Sequence, residues 1–466
     1  MPVPAAVVAA VRDLLGDEWV RADAAALAAY GSDALRTGHL AELVVMPADT
    51  AQVSAIATIC STHRVPMVVR GAGTGYTGGS VPTHGGVVLS MERFSRILEI
   101  DPVNLLVVTQ PNVITGDLQR AVEAQGLFYP PDPASLDQCA IGGNVAECAG
   151  GPRAFKYGTT RRYVLALEAV LASGEVIRTG SKAVKNVVGY DLTQLLVGSE
   201  GTLAIITEVT LRLIPRPPVA ATLLASFSSP QAAVDAVTAL IGAAVVPAAI
   251  ELMDAASLQA VERHTGEQLV PAGTLAAVIV EVDGMASGVA EELALAADAC
   301  RRSGGVVSHA ADDAARQRLW RIRRELSYAL RATGLVKINH DVVVPRGRVP
   351  SLLALVDRLA ATFALRVACF GHAGDGNIHV NLMLTPGDEA ERERARQAER
   401  ALFEGVVALE GSITGEHGIG FSKAPYLHLE LSAEEIALMR RVKVAFDPLG
   451  LLNPGKIFMP DAAGEA

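Results

Sequence analysis

From Pro66 to Ser90 the chain reads PMVVRGAGTGYTGGSVPTHGGVVLS, and this stretch restricts the fold more than any other. Gly73, Gly75 and Gly78 spell the G-x-G-x-x-G of dinucleotide-binding loops, placed after an apolar strand at 67–70. In a doubly wound nucleotide fold a helix opens directly behind those glycines, so that its N-terminus meets the pyrophosphate. Here Pro82, Gly85 and Gly86 follow, and then a second strand, VVLS. Proline removes a donor and glycine disfavours a helix interior, so no helix starts and the Rossmann reading is excluded. A strand–glycine loop–strand instead gathers successive backbone N–H groups into a nest that holds a phosphate. The competing reading is a long surface loop.

A second constellation lies at Cys369 to Leu384, CFGHAGDGNIHVNLML. His372 and His379 are seven residues apart, two turns or about 10.5 Å on a helix, too far to share one ion. Asp375-Gly376 is a type I′ hairpin pair. Folding there predicts 374 opposite 377, 373 opposite 378 and 372 opposite 379, with the two imidazoles as direct cross-strand neighbours. Asn381 falls on the same face as His379. The alternative is a hairpin with two half-exposed histidines. Farther on, GSITGEHGIG places Glu416-His417 between glycines. Glu416 as a third ligand would complete a two-histidine, one-carboxylate set with an open position, leaving His417 to act as a base.

The remaining chain frames these motifs. Helices are expected near 4–15, 23–30, 51–63 and 114–125, and strands near 96–100 and 105–109. In FYPPDPASLDQCAIGGNVAECAGG, prolines 130, 131 and 133 rule out regular structure. Strands 163–172 and 175–179 form a hairpin around Ser173-Gly174. The run Pro215-Arg216-Pro217-Pro218 marks a domain boundary. Beyond it, strands near 221–227, 247–252 and 274–282 alternate with helices near 229–241 and 286–303, a ferredoxin-like antiparallel pattern. Helices at 312–332, 347–363 and 433–446 complete the reading.

At 466 residues the chain holds two or three domains, and its 43 glycines fit a turn-rich protein. A formal charge of −10 argues against nucleic acid as the main partner. The odd set Cys60, Cys139, Cys148, Cys300 and Cys369 fits a reducing compartment and suits no iron–sulfur cluster. No integral membrane segment or signal peptide is expected. The expectation is a cytoplasmic protein that reaches a membrane only through a partner.

Taken together, RGAGTGYTGGS, IGGNVAECAGGPRAFKYG, VGYDLTQLLVGSEGTLAIIT, GHAGDGNIHVN, TGEHGIG and NPGKI resemble the FAD-linked dehydrogenases of the vanillyl-alcohol-oxidase superfamily. The branch is that of the glycolate oxidase flavin subunit, D-lactate dehydrogenase and D-2-hydroxyglutarate dehydrogenase. The resemblance runs from about 38 to 459. It implies an α+β fold: N-terminal helices (1–37), a two-part FAD-binding domain (38–217), a ferredoxin-like antiparallel cap carrying the metal hairpin (218–410), and a C-terminal segment returning to the flavin (411–466). It implies FAD contacts from Arg70, Gly71, Ala72, Gly73, Thr74 and Gly75 around the pyrophosphate. Ser135, Gly142, Gly143, Asn144, Gly150, Gly151, Glu200, Gly201, Ile206 and Asn453 would make the others. Thr74 stands where some relatives carry a flavin-linking histidine, so the FAD is expected to be non-covalent. Cys148 departs from the usual N-A-G-G, replacing an amide by a thiol at a cost of ~1 kcal/mol.

The same resemblance implies a divalent metal on His372, His379 and Glu416, with His417 as base. Zinc is favoured by ligand type, with manganese or iron as alternatives. Arg323, in LWRIRREL, and Lys337, in VKINHD, would face the substrate's carboxylate, with Asn381 beside them; the alternatives are a solvated helix face and a surface strand. The implied reaction is oxidation of glycolate or D-lactate to the 2-oxo acid, with hydride passing to flavin N5. Electrons would leave to a separate acceptor: an iron–sulfur subunit, an electron-transfer flavoprotein or a quinone. D-2-hydroxyglutarate oxidation and, from another class, a non-catalytic flavin-binding subunit are the competing readings. A flavin-free metallohydrolase would leave 66–217 without a role.

Overall fold

A computed structural model describes residues 2–243 and 245–459; the extreme ends of the expected segments 1–37 and 411–466 lie outside the described residues. The chain divides into two compact units. The first comprises residues 1–149, 159–216 and 416–466, and the second residues 150–158 and 217–415. One division thus falls inside the proline run at 215–218. The nine-residue stretch 150–158, with Gly150 and Gly151, belongs to the second unit rather than to the first.

In the first unit, β1 (Val20–Arg21), β2 (Leu43–Val45), β3 (Met67–Arg70) and β4 (Val87–Ser90) form a sheet of order β1-β2-β4-β3. β4 runs parallel to both β2 and β3. The helix Thr50–His63, capped by Asp49 accepting from the Gln52 amide, carries the chain from β2 past β4's position to β3, and the glycine loop 71–86 returns it to β4. Both faces are covered, as expected for largely apolar strands such as LVV and VVLS. A second, antiparallel sheet contains β5 (Ile97–Asp101), β6 (Leu106–Thr109), β8 (Val164–Val170), β9 (Val176–Gly180) and β10 (Ile205–Arg212), in the order β5-β6-β10-β8-β9. β7 (Leu127–Phe128) and β11 (Ile214–Pro215) form a short separate pair.

The proline-rich stretch after Phe128 is irregular only in part. Ile141–Glu147 is helical, contrary to the expectation of no regular structure, because the prolines end at 133 and the helix starts eight residues later.

The second unit is one seven-stranded antiparallel sheet with helices on both faces. Its strands are β12 (Val219–Phe227), β13 (Ala249–Asp254), β14 (Ala276–Gly284), β15 (Val306–His309), β16 (Val336–Val343), β17 (Arg366–His372) and β18 (Asn377–Leu384). Their order is β15-β12-β14-β13-β17-β18-β16. Side chains alternate across β18, sending His379, Asn381 and Met383 to one face and Ile378, Val380 and Leu382 to the other. Helices Ala255–Thr265 and Asp313–Ala332 pack on the first face, burying Leu258, Trp320 and Leu326 against Met253, Ile279 and Phe370. Helix Glu389–Ala408 packs Ala395 and Ala398 on the second, against Leu382 and Leu384. Two of these helices, 255–265 and 389–408, escaped the sequence reading. Both have their N-caps, Asp254 and Asp388, which accept the amides of Ser257 and Glu391.

Candidate active site

In the first unit the glycine loop leaves β3 at Arg70. That arginine turns away from the loop's open side and donates Nη1 to Ser32 O at 2.6 Å. Gly73 has φ +68°, and a Cβ there would meet Arg70 Nη2 at 2.2 Å. Arg70 therefore braces the loop from behind. On the other side, Cβ atoms at Gly71 and Gly75 would sit in ordinary van der Waals contact, at 3.5 and 3.8 Å, and one at Gly143 would meet nothing within 4 Å. Among the described residues, no amide from Ala72 to Gly75 enters a backbone hydrogen bond. Asn112 Oδ1, 3.8 Å from the Gly71 position, is buried without a partner among the described residues. Donors without acceptors and an orphaned buried oxygen around an open glycine cradle fit a polar, phosphate-bearing cofactor.

The other expected flavin contacts have mixed geometry. Asn144 commits its amide to Thr115 Oγ1 at 2.7 Å. Ser135 contributes its carbonyl to a turn that accepts the amides of Gln138 and Cys139. Ile206 lies buried in β10, and Gly201, at φ +67°, lies beside Asn453. Asn453 donates Nδ2 to the carbonyls of Gly79 and Glu200, each at 2.7 Å, and its Oδ1 is a second orphaned buried oxygen. Glu200 accepts the amides of Ile419 (2.7 Å) and Gly420 (2.6 Å), which pins the loop that carries Glu416-His417. Burial raises the Glu200 carboxyl; burial and then the Glu200 charge raise Glu147 further. In the same loop the His417 carbonyl accepts Thr77 Oγ1 at 2.9 Å, and its ring stacks on Tyr76 with centroids 5.1 Å apart.

In the second unit the histidine hairpin forms with a different register from the expected one. His372 opposes Asn377, and His379 opposes Phe370. Residues 373–376 make a four-residue loop, and Asp375 lacks the positive φ that type I′ requires. The reason is tertiary. Gly374 donates to Ile250 O of β13, and Gly376 accepts from Val344 just past β16, so the loop is opened between two non-local strands. A shift of two residues preserves the face of every side chain. The rings of His372 and His379 still meet, with centroids 5.4 Å apart at 85°, and both residues are buried rather than half-exposed.

Each histidine has a carboxylate that the sequence reading missed. Glu251, on β13, is fully buried and lies 2.6 Å from His372 Nδ1 through Oε1. Asp341, on β16, opposes His379 in register, with Oδ1 3.8 Å from its Nδ1. Asp341 also accepts the Asn377 amide at 2.6 Å and the Gly415 amide at 2.9 Å. A signal was present: Glu251 sits between Ile250 and Leu252 in AIELMD, and Asp341 runs into Val342 and Val343 in VKINHDVV. A charge in such a run is costly unless it has a partner.

Each residue expected at the substrate's carboxylate has a protein partner. Arg323 is buried, not on a solvated helix face, and its Nε and Nη2 face Glu251 Oε2 at 2.7 and 2.5 Å. A guanidinium in that interior needs a counter-ion, and Glu251 is it. Asn381 gives both amide hydrogens to the carbonyls of Ala368 and His379 and accepts Asn339 Nδ2, so it ties strands together. Lys337 lies on the same sheet face and donates to Ser327 Oγ at 2.6 Å. Burial, and then the Arg331 charge, lower its pKa to about 7. Glu416 follows Gly415 directly, at the point where the chain re-enters the first unit.

Comparison with known proteins bears on both units. The model of the FAD binding domain matches residues 41–180, and that of the C-terminal domain of FAD linked oxidases matches residues 216–457. Glycolate oxidase subunit GlcD of Bacillus subtilis (strain 168) is 44% identical over 422 residues, 90% of each chain. Its Escherichia coli (strain K12) namesake is 41% identical over 432 residues, 91% of this chain and 85% of that one. D-lactate dehydrogenase of Anaerostipes hadrus is 35% identical over 424 residues, 89% of each. Among solved structures, 4-ethylphenol oxidase from Gulosibacter chungangensis superposes with a TM-score of 0.81 at 21% identity, covering 98% of this chain and 97% of that one. At that identity the likeness concerns the fold, and it agrees with the expected α+β flavoprotein architecture. Among the described residues no helix is long and apolar enough to cross a membrane.

Proposed function

Because this chain belongs to the FAD-linked oxidases, in the vanillyl-alcohol-oxidase superfamily, we propose that it oxidises a small 2-hydroxy acid, glycolate or D-lactate, to the 2-oxo acid. The observation that carries this reading is the buried pair His372–His379 with a carboxylate behind each ring. A merely structural hairpin has no need of two buried imidazoles and two buried acids. Relatives named as a glycolate oxidase subunit and a D-lactate dehydrogenase support the substrate class.

When bound, FAD would supply the hydride acceptor, and a divalent ion would supply a Lewis acid for the substrate's hydroxyl. The residues that would hold the ion are His372, His379 and Glu416, a donor set suited to zinc. Glu416 is tethered one peptide beyond Gly415, whose amide is fixed on Asp341. The loop 70–75 would cradle the FAD pyrophosphate through its backbone amides, and Thr74 leaves the cofactor non-covalent. Lys337 pairs with the substrate's carboxylate, which favours the charged ammonium. His417 takes the hydroxyl proton at a ring nitrogen; its stacking on Tyr76 sets the plane of that ring. Electrons leave to a separate acceptor, which the word "subunit" in the relatives' names supports.

Anaerobic mixing of the yellow protein with glycolate, D-lactate and D-2-hydroxyglutarate tests the reading. Bleaching of the flavin by one of the first two is expected. Flavin that stays oxidised with every 2-hydroxy acid would overturn the proposal. Bleaching that persists unchanged after complete removal of metal by a chelator would overturn the metal's part in it.

A further inference from the structure

We infer that Glu251 is a positioning residue that fixes His372 as a metal ligand through its Nε2, and that Arg323 acts by holding Glu251 in place. This rests on the proposed metal role of His372. Glu251 and His372 are direct partners in the β13–β17 register, so their contact is set by strand pairing rather than by one rotamer. A one-residue slip would send the carboxylate to the opposite face of the sheet.

The Glu251 side chain is used at both ends. Oε1 meets His372 Nδ1 at 2.6 Å, and Oε2 meets Arg323 Nε at 2.7 Å and Nη2 at 2.5 Å. Arg323 is itself held over the Phe370 ring, 4.8 Å from its centroid, and Phe370 opposes His379 across the hairpin. A carboxylate in a buried ion pair with a guanidinium is ionised and only accepts hydrogen bonds. Nδ1 of His372 must therefore carry the proton, which leaves the lone pair on Nε2 for a ligand. Carboxylate–histidine pairs of this kind orient ligating rings and raise their basicity.

A purely structural role makes a different prediction. A buried Arg–Glu pair adds little net stability, and a well-packed apolar replacement is often neutral. Two variants of the full chain separate the roles: Glu251→Gln, which leaves Arg323 buried without its counter-ion, and Glu251→Gln with Arg323→Met, which removes both charges. After metal stripping, each is titrated with zinc against a chromophoric chelator, with flavin content and the unfolding midpoint measured alongside. The expected result is zinc binding weaker by roughly 10- to 100-fold in both. The double variant should unfold near the wild-type midpoint, and flavin content should be unchanged. If the single variant fails to fold, the double variant decides. Zinc affinity within about threefold of wild type in a folded variant overturns the inference alone. A wild-type protein that takes up no zinc, manganese or iron overturns the metal reading of the site and this inference with it.

Discussion

Gly376→Ala should unhinge the histidine hairpin, and the structure supplies the magnitude. Gly376 has φ +82°, and an added Cβ would lie 2.0 Å from Val344 O and 3.2 Å from Val344 C. Both are backbone atoms of a strand end and cannot rotate away. Holding an alanine in the left-handed region costs about 1–2 kcal/mol. If the loop withdraws instead, the bond from Val344 N to Gly376 O is lost; Val344 is 2% exposed, and an unmet buried pair costs about 1–3 kcal/mol. Either way the cost is about 1–3 kcal/mol, or a fall in midpoint of roughly 2–12 °C for a body of some 200 residues. Gly374→Ala is the matched control in the same loop. Its φ is ordinary, and its Cβ would meet the Phe155 ring at 2.9 Å, a side chain that can yield, so about 1 kcal/mol is expected. Urea unfolding of both variants, with zinc titration alongside, checks the difference. Gly376→Ala no less stable than Gly374→Ala, with wild-type zinc affinity, would show that the loop's anchoring on Val344 does not hold the imidazoles.

Lys337 predicts a pH dependence. With its pKa lowered to about 7, it is charged below that pH and neutral above it, and only the cation pairs with a carboxylate. KM for the 2-hydroxy acid should therefore rise about tenfold per pH unit above neutrality, and Lys337→Met should abolish the slope; a KM flat from about pH 6 to 9 in the wild type would refute it. Cys148 sits at φ 56°, ψ 45° as the cap of helix Ile141–Glu147, a conformation that asparagine adopts more readily than cysteine. Cys148→Asn should raise stability by about 0.5–1 kcal/mol; a lowered unfolding midpoint would count against that account of the position.

Much of the molecule was legible from residue order because the deciding signals were local. Proline and paired glycines behind Gly78 forbid a helix whatever the rest of the chain does. Alternation over Asn377–Leu384 fixes which side chains share a face, so His379 and Asn381 were placed together correctly. Helix caps were equally local, and the two helices missed, 255–265 and 389–408, begin at Asp254 and Asp388, which could have been read.

Tertiary structure decided what depended on distant strands. The hairpin register moved by two residues because Ile250 and Val344, on separate segments, hold the loop's backbone. Arg323 turned inward because a buried Glu251, 72 residues earlier, demands a counter-ion, and Asp341 reached Gly415 across 74 residues. Periodicity determines a side chain's face at no cost in long-range information. Which partner it meets there is set by pairing between strands, where an unmatched buried charge costs more than any local preference can return.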